Sequence, residues 1–121
     1  MAKTAVKMAA LGGGGKSGTE TVTSTSQEIT INTGLSSISK FMLHGTNSGY
    51  TVQTGIFYTS DDASNFIGIG TQNSQSGVCW QSTFQSSAAG KAVVIKSISG
   101  GTVKVITPSS LSLNTLYWMA E

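Results

Sequence analysis

Apolar and polar residues alternate along most of this chain with the two-residue period of a strand that buries one face. The pattern is clearest in residues 91–107, KAVVIKSISGGTVKVIT, where two β-branched runs, Val93-Val94-Ile95 and Val103-Lys104-Val105-Ile106, flank Ser99-Gly100-Gly101. Glycine reaches the positive φ angles of a tight turn, so this stretch predicts a β-hairpin. Pro108 closes the second arm, because proline cannot donate to a ladder.

The same period marks the other strands. Residues 19–25 (TETVTST) and 27–32 (QEITIN) alternate, with Ile29 and Ile31 on one face and Glu28, Thr30 and Asn32 on the other. Residues 37–44 (SISKFMLH), 50–58 (YTVQTGIFY), 77–84 (GVCWQSTF) and 115–121 (TLYWMAE) follow. Phe66, Ile67 and Ile69 predict a short strand broken by Gly68 and Gly70. Gly, Asn, Ser and Asp cluster at 45–49, 60–65 and 72–76, which read as turns. Eight or nine short strands at regular spacing predict an all-β fold: a single antiparallel β-sandwich, jelly-roll-like, over residues 19–121.

Residues 1–18 have a different composition. Ala5, Val6, Met8, Ala9, Ala10 and Leu11, with Lys3 and Lys7, precede the glycine run 12–15. An isolated helix this short does not hold in water, and the glycines form a flexible link. This predicts a short N-terminal Gly-rich arm over residues 1–18 that attaches through Val6, Met8 and Leu11. It is too weakly apolar for a signal peptide, and no run approaches the ~20 residues of a membrane span. The expected compartment is a cytoplasm.

With 121 residues the chain suits one domain. Its seven lysines are dispersed and it has no arginine, so the net charge of +2 forms no basic stripe; no nucleic acid is expected as a partner. One cysteine, Cys79, excludes an intramolecular disulfide and reads as a small buried hydrophobe. With 10% charged residues, copies repel one another weakly, which favours an assembled state.

Catalytic patterns fail one by one. Residues 10–17, ALGGGGKS, match a loosened phosphate loop, but a β-prone run follows where a helix must open, so nucleotide binding is not expected. His44 is the only histidine, and no spacing joins it to a nucleophile and a carboxylate. One Cys and one His make a zinc site improbable, while Asp61, Asp62 and Asn65 read as a polar turn before a calcium loop. Trp80, Trp118, Tyr50, Tyr58 and Tyr117 could form a sugar-stacking platform, although a core role for the tryptophans is the simpler reading. No catalytic, cofactor-binding or metal-binding residue is therefore expected, and the chain is read as a non-enzyme, with a small hydrolase ranked third.

Two stretches carry a resemblance. Residues 95–105 (IKSISGGTVKV), the polar spacer 109–114 and the terminal TLYWMAE, together with EITINTGL at 28–35 and SKFML at 39–43, resemble small β-sandwich modules of tailed bacteriophage virions, of the tail-fibre, baseplate or head-decoration type. The resemblance implies a virion structural protein, assembled in the host cytoplasm and anchored by its arm to capsid, collar or tail. It implies a homotrimer in contact with other virion proteins, displaying Thr46, Asn47, Ser48, Asp61, Asp62, Asn65 and Asn73 on outer loops. The alternative is a tail or baseplate module that binds a receptor or host-surface carbohydrate.

Overall fold

Nine strands pair into two antiparallel sheets in a computed structural model that describes residues 14–48, 52–62, 66–72, 78–81 and 92–121, with the backbone alone for 52, 53, 62, 66–72 and 78–81. The strands are β1 (Lys16–Thr21), β2 (Glu28–Asn32), β3 (Lys40–Thr46), β4 (Val52–Thr59), β5 (Phe66–Gln72), β6 (Val78–Gln81), β7 (Val94–Ser99), β8 (Thr102–Ile106) and β9 (Thr115–Ala120). Six form the larger sheet in the order β1-β9-β3-β4-β5-β6, and three the smaller in the order β2-β8-β7. Among the described residues the helical content is one 3-10 turn, Ser60–Asp62. The all-β sandwich read from the sequence is the fold observed.

Alternation dictates which side each strand buries. In β2, Ile29 and Ile31 are buried between exposed Glu28, Thr30 and Asn32, and they face Val105 and Val103 of β8 across the ladder. The larger sheet answers with Phe41, Leu43, Ile56, Tyr58, Leu116 and Ala120, and the two sets form one core with Val93 and Ile95. Burying each large aliphatic side chain stabilises the sandwich by about 1.5–3 kcal/mol.

The β7–β8 hairpin forms as expected, with Ser99 opposite Thr102 and Gly100-Gly101 between them. Gly100 has φ 57 and Gly101 is not at positive φ, the pattern of a type II′ turn. Gly101 has a second reason to be glycine: a Cβ there would lie 1.8 Å from the Leu35 carbonyl oxygen. The Thr33 amide and hydroxyl both donate to the Gly101 carbonyl, at 3.0 and 2.7 Å, clamping the turn onto the loop after β2. Pro108 is fully buried just beyond the end of β8.

Three strands depart most clearly from the sequence reading. β1 starts at Lys16 and ends at Thr21 because β9 offers it a six-residue ladder, from Lys16 opposite Ala120 to Thr21 opposite Thr115. Lys16 and Ser17, in the phosphate-loop pattern, therefore lie in a strand rather than at a helix start. β5 runs unbroken through Gly68 and Gly70, since β4 and β6 bond it from both sides and outweigh the low strand propensity of glycine. β3 begins at Lys40 because the Ser39 and Lys40 amides first donate to the Glu121 carbonyl.

Candidate functional site: the outer face of the larger sheet

β3, β4 and β9 lie side by side in the middle of the larger sheet, and each carries large apolar residues on the side away from the core. Met42 stands opposite Met119 on one flank and Phe57 on the other; His44 stands opposite Tyr117 and Gly55. Met42, Phe57, Tyr117 and Met119 are 47%, 41%, 45% and 54% exposed. The His44 and Tyr117 rings stack with centroids 6.1 Å apart and planes 24° from parallel. Gly55 leaves a flat place beside His44, since a Cβ there would meet only the Leu43 carbonyl at 3.7 Å.

Met42, Phe57 and Met119 also line a groove of about 420 Å³, together with Lys16, Lys40 and Glu121. Lys40 and Glu121 pair at 3.1 Å, Lys40 exposed and Glu121 partly buried. The four residues of the patch are uncharged, while the adjoining groove brings Lys16 and the Lys40–Glu121 pair beside them, so a partner covering both must meet these charges with polar or opposite-charged groups. Among the described residues no group of three or more His, Cys, Asp or Glu side chains is placed to hold a metal.

The residues singled out in the sequence are dispersed. Val6, Met8, Leu11, Asn65 and Asn73 lie outside the described residues. Thr46 ends β3 and is 4% exposed; its hydroxyl donates to the Asn47 carbonyl at 3.1 Å and its own carbonyl accepts the Asn114 amide at 2.9 Å. Ser48 is exposed, and its amide donates to Asn114 Oδ1 at 2.5 Å, so the 109–114 spacer holds the turn after β3. Asp61 and Asp62 sit in the 3-10 turn, with Asp61 exposed. Among the aromatics, Tyr58 is buried and Trp118 packs against the core, whereas Tyr117 faces outward; these three do not share a platform. Tyr50 is outside the described residues, and Trp80 is placed in β6 by its backbone alone.

The apolar outer face was not singled out in the sequence, though a signal for it exists. FML in β3 and LYWMA in β9 are continuous apolar runs, and a strand apolar at every position has two apolar faces. No protein-family model, curated protein or solved structure matches the chain.

Proposed function

We propose that this chain is a non-enzymatic structural protein of a tailed-bacteriophage virion. Its sandwich packs against neighbouring virion proteins through the outer face of the larger sheet and turns its polar loops outward. The observation that carries the reading is the row Met119, Met42 and Phe57 exposed on adjacent strands of a regular sheet. An apolar cluster of this kind on a rigid scaffold marks a surface made to be covered. The apolar side chains of the cluster fit a permanent contact, and the bacteriophage assignment itself rests on the resemblance of the hairpin and terminal strand. Immunogold electron microscopy of purified virions carrying this chain tests it. Gold at fixed positions on head, collar or tail is expected; unlabelled virions would overturn the assignment.

A receptor-binding or carbohydrate-binding role is the second reading, favoured by the exposed Tyr117 ring stacked on His44 over a flat strand face. It requires binding on a glycan array that is lost in Tyr117→Ala. An array without signal removes it.

A further inference from the structure

β1 is an edge strand: among the described residues its one strand neighbour is β9. An open edge invites another strand, and sheets usually block it with a bulge, a proline or an inward charge. The smaller sheet does so at β7, where the ladder is bulged between Ile95 and Ser97 beside exposed Lys96. At β2 the one charge, Glu28, is already paired with Lys96. β1 is unbulged against β9 and contains no proline; its inward-facing charges, Lys16 and Glu20, bar any added strand that does not neutralise them.

β1 also carries two charges without ion-pair partners among the described residues, Lys16 and Glu20, at either end of KSGTE. They are about 13 Å apart along the strand at the usual rise per residue. They share one face, since their partners on β9, Ala120 and Leu116, are both core residues. Gly18 lies midway between them.

We infer that β1 is a self-pairing edge: two copies join antiparallel about a two-fold axis through Gly18, making one continuous twelve-stranded sheet from two larger sheets of six strands. In this register Lys16 faces Glu20 of the other copy, Glu20 faces Lys16, and Ser17 faces Thr19. Continuing the sheet requires residues of equal face to oppose each other, so the register can shift only by two. A shift of two sets a charge opposite Gly18, and a shift of four sets Lys16 against Lys16 or Glu20 against Glu20. The register centred on Gly18 alone satisfies both charges, twice over, as an isologous contact can.

The centre of the strand fits the same arrangement. A Cβ on Gly18 would lie 2.7 Å from the Trp118 ring, so the indole lies over the glycine. Pairing at Gly18 brings the two partly buried Trp118 rings beside the axis, flanked by the two ion pairs. Main-chain hydrogen bonds supply affinity and the charges supply register. The contact is two-fold, so alone it gives a dimer where the bacteriophage resemblance implies a trimer, and it does not depend on that resemblance.

Sedimentation velocity of the full chain at tens of micromolar tests it, with Lys16→Glu, Glu20→Lys and the double reversal. A dimer is expected, weakened about tenfold or more by either single reversal, which sets like charges opposite each other twice. The double reversal restores the wild-type affinity, an outcome that a merely structural role for either residue does not produce. A monomeric or trimeric wild type, insensitivity to the single reversals, or failure of the double reversal to rescue would each overturn the inference.

Discussion

On the outer side of the smaller sheet, Glu28, Thr30, Asn32 and Lys104 stand in water, Lys96 hydrogen-bonds and ion-pairs with Glu28, and the Thr102 hydroxyl donates to Asn32. On the outer side of the larger sheet, Met42, Phe57, Tyr117 and Met119 occupy the equivalent positions. Both sheets bury the same kind of inner residue against the same core, so the requirements of folding do not explain the difference. A sheet is stable with one polar face, as the smaller one is. On the proposed reading the apolar cluster is the part of the larger sheet that a neighbour covers, beside its own Lys40–Glu121 ion pair, while the smaller sheet turns polar and charged residues to water.

The largest effect that would break this comparison lies within β3, where neighbouring residues point to opposite sides. Phe41→Ala removes a fully buried ring and is expected to cost about 3–5 kcal/mol in urea unfolding, while Met42→Ala costs less than about 1 kcal/mol. Equal losses would mean that Met42 is a core residue. Gly101→Ala comes next: the added methyl meets the Leu35 backbone and should destabilise the smaller sheet by about 1–3 kcal/mol by the same assay.

Changes of charge sharpen the comparison at nearly constant stability. Met42→Lys with Met119→Lys on one face, and Thr30→Lys on the other, should each leave unfolding within about 1 kcal/mol of wild type. Only the first pair should abolish incorporation into virions, scored by immunoblot of purified particles.

The smallest effect concerns Glu28. The hydrogen bond from Lys96, its positive charge and, further off, that of Lys104 hold the Glu28 carboxyl below its usual value. A carboxyl lowered by folding stabilises the fold fully above its unfolded value and loses that contribution as pH falls through the lowered one. Glu28 is exposed, so the contribution is slight. Urea midpoints between pH 7 and 2 should fall a little less steeply for Glu28→Gln than for wild type, and a steeper fall would mean the ion pair opposes folding.

What could be read from the sequence was local. EITIN writes its inner and outer faces into five residues, and Gly100-Gly101 writes its turn into two. The start of β1 was not legible, because nothing in Lys16-Ser17-Gly18 favours a strand until residues a hundred positions later, in β9, offer a ladder. Glycines 68 and 70 misled for the same reason, since their ladder partners lie on β4 and β6. The apolar face was half written: FML and LYWMA announce two-sided strands, but only the register sets Met42 between Met119 and Phe57. Thr46 looked like a loop residue because the sequence does not show Asn114 folding back onto its carbonyl.

Hydroxyl-radical footprinting of the protein free in solution and within purified virions tests the central claim most directly, because it reads both outer faces in one experiment. In the free protein Met42, Phe57, Tyr117 and Met119 should be oxidised readily, and in the virion they should be protected while Thr30 and Lys104 keep their free-state rates. Equal protection of the two faces, or none at the four apolar residues, would contradict the account.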